Sequence, residues 1–263
     1  MNNSRRIVSP RFIGRMAEAA MRLARPGDTM IEAVPGAGGE TDAVAPIHRA
    51  LADAVAASMA RNQIPAAIVG DCCQTIAVMA GIERGGIRPA MIWLDSHGDF
   101  NTWDTTPSGF LGGMPLAMMT GRGEQRMMQA VGLEPIADSR VLLSDGRDLD
   151  PGERDLVKAS GIRHMEKVIG VPYALPDGPI YLHVDADILD SRLAPAFLYA
   201  VKGGPSPEGL RAVIDGVLAT GRVVAISVTA SWDAARDETG ETEAAVRRAV
   251  APILGDATAA LLD

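Results

Sequence analysis

Two stretches of this sequence set carboxylates and imidazoles two residues apart at the end of an apolar run. In Met91-Ile-Trp-Leu-Asp95-Ser-His97-Gly-Asp99-Phe-Asn101 the polar residues fall at i, i+2 and i+4. In extended chain they share one face, because successive side chains alternate. The run Ile180-Tyr-Leu-His183-Val-Asp185-Ala-Asp187-Ile-Leu-Asp190 repeats the arrangement with His183, Asp185 and Asp187, while Leu182, Val184 and Ala186 point the other way. Carboxylates gathered at neighbouring strand ends repel and raise one another's pKa unless a cation sits between them. An oxygen-rich set with one or two imidazoles suits a hard or borderline divalent ion such as manganese. Two such ions sharing carboxylates generate a hydroxide nucleophile at neutral pH, so the expected chemistry is hydrolysis.

Several of these residues have plainer readings when taken singly. A lone aspartate is ordinarily a cap or turn residue. His183 lies deeper in its run than Asp185 and alone reads as a histidine bracing a ligand or the core. In Ile68-Val-Gly-Asp71-Cys72-Cys73, Cys72 is either a thiolate ligand or a small buried hydrophobe. Asp150 and Glu153 read first as a capping pair for the helix that Pro151 opens, and alternatively as receivers of a substrate ammonium.

The elements that must position these groups alternate between short apolar runs and longer segments of helical period. Strands are expected over Thr29–Val34, Pro65–Gly70, Pro89–Asp95, Arg140–Ser144, Ile180–Asp185 and Val223–Thr229. Helices are expected over Gly14–Ala24, Pro46–Arg61, Gln74–Glu83, Pro151–Ala159, Pro207–Ala219 and Glu241–Leu262. Strands separated by crossover helices imply an α/β fold, a three-layer αβα sandwich around a parallel sheet, with ligands at the carboxyl ends of the strands. No linker or repeat divides residues 1–263, so one domain is expected.

Bulk properties narrow the partners. The net charge of -8 and the absence of a basic cluster with interleaved aromatics argue against nucleic acid. No apolar run reaches the roughly 20 residues that span a bilayer, and Met1–Arg6 lacks the layout of a secretory signal. Cys72 and Cys73, the only cysteines, are adjacent and unsuited to an ordinary structural disulfide, which fits a reducing cytoplasm. Met114, Met118 and Met119 and Trp93 read as core, Trp103 and Trp232 as possible pocket borders, and Asp190 as a brace for its loop.

At these residues the sequence resembles the arginase and agmatinase family of binuclear manganese hydrolases, especially the branch of N-hydroxy-arginine hydrolases. The motifs that carry the resemblance are Val69-Gly-Asp-Cys-Cys73, Asp95-Ser-His-Gly-Asp99, Ser108-Gly-Phe-Leu-Gly-Gly-Met-Pro115 and His183-Val-Asp-Ala-Asp-Ile-Leu-Asp190. The resemblance implies that Cys72, Asp95, Asp99 and Asp185 hold one ion, and His97, Asp95, Asp185 and Asp187 the other. Cys72 stands where the family has histidine, and its softness admits zinc or another divalent ion in place of manganese. Asn101, Thr106 and Ser108 correspond to residues at the substrate's carboxylate, Asp150 and Glu153 to those at its ammonium. Gly112 replaces a histidine that assists proton transfer, Phe110 an asparagine, and the glutamate facing the guanidinium falls on Ser227.

The implied reaction is attack of a metal-bridging hydroxide on the guanidine carbon of arginine or N-hydroxyarginine. Asp99 carries the proton to the leaving amine, and His183 or water exchanges protons with solvent. A homo-oligomer, trimer or hexamer, is implied by the same resemblance. The competing readings are a non-catalytic relative that binds an amino-acid ligand or serves in an assembly, and a hydrolase of a different amidine or amide.

Overall fold

The computed structural model describes residues 3–255. Eight parallel strands form one sheet: β1 (Ser4–Ser9), β2 (Thr29–Met30), β3 (Ile64–Val69), β4 (Ala90–His97), β5 (Val141–Asp148), β6 (Arg163–His164), β7 (Ile180–Asp185) and β8 (Val223–Thr229). Their order across the sheet is β2-β1-β3-β8-β7-β4-β5-β6.

The inner strands are apolar on both faces because helices cover both. Met91 and Trp93 of β4, Tyr181 of β7 and Ala67 and Val69 of β3 enter one core. Its other wall comprises helix α1 (Ala45–Met59), helix α2 (Thr75–Arg84) and the short helix Pro115–Met119. Ile92 and Leu94, Leu182 and Val184, and Ala66 and Ile68 enter the other core, against helices α4 (Pro207–Leu218) and α5 (Glu241–Ala249). The αβα sandwich expected from the alternation is therefore present. Each Leu or Ile fully buried this way contributes about 1.5–3 kcal/mol.

Helix α3 (Pro151–Ala159) starts at a capping box in which Glu153 Oε2 accepts the Asp150 N–H at 3.1 Å. Ser206 Oγ caps α4 by accepting from Gly209 N at 3.1 Å. Met114, Met118 and Met119 are buried between the sheet and its helices. Among the described residues no helix is long and apolar enough to cross a membrane.

Several boundaries differ from expectation. β1 lies inside the sheet although Arg5 and Arg6 give its sequence a polar start; Arg6 is accommodated by an ion pair with Asp28 at 2.8 Å. The strand expected over Thr29–Val34 ends at Met30, where it forms the sheet edge, and Val34 is exposed. The first helix is only Glu18–Arg22, because Ile13 and Gly14 take positive φ and Arg15–Met16 turns back against Arg11–Phe12 as a small hairpin. The last helix stops at Ala249, and a separate turn, Ala251–Leu254, begins with Pro252 near its start. The remainder of that expectation, residues 256–262, lies outside the described residues.

Candidate metal centre

β3, β8, β7, β4 and β5 end side by side, and a cavity of about 400 Å³ opens over their carboxyl ends. β4 delivers Asp95 and His97, β7 delivers Asp185 and then Asp187, and Cys72 follows β3. All five line the cavity together with Asp99. Trp93 and Tyr181 lie on the face that carries Asp95 and Asp185, and Leu94 and Val184 lie on the other. Asp99, at positive φ, and Asp187, in a 3-10 turn, follow the strands, so the expected alternation does not extend past the strand ends.

His97 Nδ1 lies 3.3 Å from Asp95 Oδ1 and 3.4 Å from Asp187 Oδ2. The Cys72 thiol donates to Asp185 Oδ2 at 2.9 Å and lies 3.5 Å from His183 Nε2 and 3.3 Å from Thr229 Oγ1. In each of two groups, Cys72 with Asp95 and His183, and Asp95 with His97 and Asp187, the potential ligand atoms all lie within 4.8 Å of one another.

The supporting hydrogen bonds orient these groups. Trp93 Nε1 donates to Asp95 Oδ2 at 3.1 Å, His97 N to Asp95 Oδ1 at 2.8 Å, and Ser96 Oγ to Asp187 Oδ1 at 3.0 Å. Asp99 sits in the left-handed region at φ 49°, and its carbonyl accepts from Leu116 and Ala117. A non-glycine residue held there stores strain that the surrounding structure must sustain. Gly98 is needed beside it, since a Cβ would lie 2.5 Å from both Glu153 Oε1 and Leu149 Cδ2.

Burial, and then mutual repulsion, raise the carboxyl pKa values of Asp95, Asp99 and Asp185. Asp95 is pushed up by burial and Asp187, Asp99 well up by burial and Asp95, and Asp185 well up by burial, Asp187 and Asp95. Burial followed by Asp185 pushes the Cys72 thiol well up. For His97 burial acts downward, but Asp187 and Asp95 outweigh it and raise the imidazole.

The donor set fits divalent cations on two observations. Asp99 Oδ2 is buried with no hydrogen-bond partner, which is costly unless something else satisfies it. Four carboxylates from two adjacent strands also converge around one imidazole and one thiol, and a cation among them removes their repulsion.

The residues expected at the substrate's amino-acid end, Asn101, Thr106, Ser108, Asp150 and Glu153, also line the cavity. Asn101 Nδ2 donates to Asp150 Oδ2 at 2.9 Å. Both Glu153 oxygens already accept backbone N–H groups, from Phe100 at 2.8 Å and Asp150 at 3.1 Å. Burial pushes its carboxyl up to about 7.

Other expected positions differ. His183 is fully buried and does not line the cavity; its Nδ1 meets Ser227 Oγ at 2.8 Å, and Ser227 Oγ meets Tyr181 OH at 2.7 Å. Ser227 therefore does not face a guanidinium. β8 instead presents Thr229 to the cavity, followed by Ser231, as the two-residue period requires. Trp103 and Trp232 do not line the cavity either: Trp103 is exposed, and Trp232 is buried with the second core. Asp190 pairs with Arg192 and accepts its backbone N–H at 3.0 Å, bracing the loop as expected.

Sequence reasoning missed Phe12, Tyr199, Asp71 and Asp148 of the lining. The aromatic members come from segments far apart in the chain and have no local signal. Asp148 adjoins Asp150, and Asp71 adjoins Cys72, so proximity to a strand-end motif was available for both.

Comparison with known proteins agrees with this geometry. The sequence pattern of the arginase family matches residues 17–255. The N(omega)-hydroxy-L-arginine amidinohydrolase of Streptomyces lavendulae is 29% identical over 201 residues, 75% of this chain and 71% of that protein. The arginase of Bacillus caldovelox is 34% identical over 200 residues, 70% of this chain but only 64% of that protein. The native structure of the latter superposes with TM-score 0.78 at 25% identity, covering 97% of this chain and 99% of the other. With the pattern matched over nearly its whole length and the same fold around the clustered carboxylates, this chain belongs to the arginase family, hydrolases of carbon–nitrogen bonds in linear amidines.

Proposed function

We propose that the chain hydrolyses the guanidino group of a substrate with an amino-acid end, and that N-hydroxyarginine is preferred over arginine. The observation that carries this reading is the convergence of Asp95, Asp99, Asp185 and Asp187 with His97 and Cys72 in one cavity, under a mouth with amide, hydroxyl and carboxylate groups. Cys72, Asp95, Asp99 and Asp185 would hold one divalent ion, and His97, Asp95, Asp185 and Asp187 the other. Two manganese ions are the proposed occupants, with zinc favoured if the Cys72 thiolate dominates the first site. Bound there, two such ions supply Lewis acidity and a water that ionises near neutral pH.

The protein groups handle position and protons. Asp99 Oδ2, buried and without a partner, takes the proton of the attacking water and delivers it to the departing nitrogen as the carbon–nitrogen bond breaks. The products are an amine and a urea. His183, one layer below the cavity, acts through Cys72 and not on the substrate. Asn101, Thr106 and Ser108 receive the substrate's carboxylate, and Asp150 its ammonium. Glu153 contributes by fixing Asp150 and Phe100, because its oxygens are already bonded.

The preference for hydroxyarginine is supported by the end of β8 and the residues just after it, where the hydroxyl-bearing Thr229 and Ser231 line the cavity. An N-hydroxyl lowers the basicity of a guanidine and reduces its need for an anionic partner. Similarity to the Streptomyces lavendulae protein points the same way. The whole chain, residues 1–263, is read as one cytoplasmic domain in a homo-oligomer, trimer or hexamer, with no nucleic-acid or membrane partner. Steady-state turnover of hydroxyarginine and arginine by manganese-loaded protein tests the reading. Arginine turned over at least as fast as hydroxyarginine contradicts the preference, and turnover of neither contradicts the function.

A further inference from the structure

Three aromatic rings from separate parts of the chain form a continuous wall on one side of the cavity. Phe12 comes from the N-terminal hairpin, Phe110 from the loop after β4 and Tyr199 from the loop after β7. Phe12 and Phe110 stack with centroids 6.0 Å apart at 16°, and Phe110 and Tyr199 lie 5.0 Å apart at 33°. Tyr199 meets the His97 ring edge-on at 6.3 Å, so the wall reaches the clustered metal-ligating residues.

Phe110 also takes the room of its neighbour. A Cβ on Gly112 would lie 2.4 Å from both Cε1 and Cζ of Phe110. The pair thus substitutes a ring face for whatever polar side chain position 112 could offer.

The charge of the cavity gives this wall its meaning. Among the described residues its lining holds seven aspartates and Glu153, with no lysine or arginine. Asp95, Asp99, Asp185 and Asp187 would be offset by the two ions they hold, which leaves Asp71, Asp148, Asp150 and Glu153 to favour a cationic ligand. Yet β8, whose end faces the cavity, offers only hydroxyls, so no carboxylate there awaits a cationic head group. A planar amidinium can lie face-on against an aromatic ring while its N–H edges point to oxygens in its own plane. An alkylammonium, compact and strongly hydrated, gains less from the same surface.

We propose that Phe110 and Tyr199 are specificity-determining residues, a ring platform that selects a flat guanidinium or hydroxyguanidinium over an ammonium of similar reach. The inference rests on the guanidino reading above and adds the feature that recognises the reacting group.

The test measures dissociation constants of L-arginine and L-lysine by calorimetry on manganese-loaded protein, with ornithine release from arginine followed in parallel. The two ligands share the α-amino-acid end and differ in the head group. Phe110→Leu keeps apolar volume and removes the ring face. Tyr199→Leu does the same at a position 44% exposed, where folding is not at stake. Each variant is expected to weaken arginine about threefold to tenfold while moving lysine by less than about twofold. An equal shift for both ligands, no shift for either, or a wild-type protein that fails to prefer arginine overturns the proposal. If arginine binds with this ring dependence but neither it nor hydroxyarginine is hydrolysed, the guanidino-hydrolase reading fails and the platform stands. If hydrolysis proceeds and the rings make no difference to binding, the platform alone fails.

Discussion

Ser227 offers a sharp test of how the metal centre is held. Its hydroxyl sits between Tyr181 OH at 2.7 Å and His183 Nδ1 at 2.8 Å, and His183 Nε2 in turn faces Cys72 Sγ at 3.5 Å. All four side chains are buried. Ser227→Ala removes one oxygen and leaves a phenol and an imidazole nitrogen without their partner. Each such group costs about 1–3 kcal/mol, so unfolding free energy in chelator should fall by about 2–6 kcal/mol. With its Nδ1 contact gone, the imidazole no longer fixes Cys72. Loss of such support typically weakens metal binding about 10- to 100-fold. Urea unfolding followed by circular dichroism reads the first effect, and competition with a metallochromic chelator the second. Ser227→Thr, which keeps the hydroxyl, serves as the control. If Ser227→Ala changes stability by less than about 0.5 kcal/mol and leaves metal affinity intact, but raises KM for the guanidino substrate, the residue faces substrate and the relay is wrong.

Three further outcomes follow from other parts of the molecule. Asp99→Asn should leave the fold intact and reduce kcat by about 10²- to 10⁴-fold; retention of wild-type kcat removes Asp99 from proton transfer. Gly98→Ala forces a methyl to within 2.5 Å of Glu153 Oε1 and Leu149 Cδ2, and urea unfolding should show a loss of about 1–3 kcal/mol, whereas an unchanged midpoint denies the close approach. His48 is buried with Nδ1 unpartnered, and burial lowers its pKa from 6.5 to about 4. The unfolded chain therefore binds its proton first, so stability falls as pH drops from 6.5 towards 4, by about 2 kcal/mol between pH 7 and 5. Urea unfolding at both pH values should show His48→Leu losing less than wild type by that amount, and equal losses would contradict it.

Much of this architecture was readable from residue order, for identifiable reasons. β4 and β7 are buried on both faces, so their apolar runs announced strands, and the polar residues that interrupt them fall where the strands leave the core. The capping pair Asp150 and Glu153 was legible because its signal is local. β1 was not, because its place in the sheet depends on pairing Ser4–Ser9 with Ile64–Val69, some 60 residues away. The aromatic wall escaped for the same reason: Phe12, Phe110 and Tyr199 meet only in the folded chain. The depth of Ser227 was not legible, because alternate residues along β8 and just beyond it, Ser227, Thr229 and Ser231, all carry hydroxyls. Only the fold shows that the first of these bonds to His183 while the other two reach the cavity.

The central claim is that Cys72, the four aspartates and His97 hold a catalytic pair of divalent ions. Its most direct test is elemental analysis of protein purified without chelator and then loaded with manganese, alongside Cys72→Ala. The account predicts about two ions per chain in wild type, a lower content in Cys72→Ala, and hydroxyarginine hydrolysis that tracks metal content. A chain that takes up no divalent ion after loading, or one whose hydrolysis is indifferent to metal removal, would contradict it.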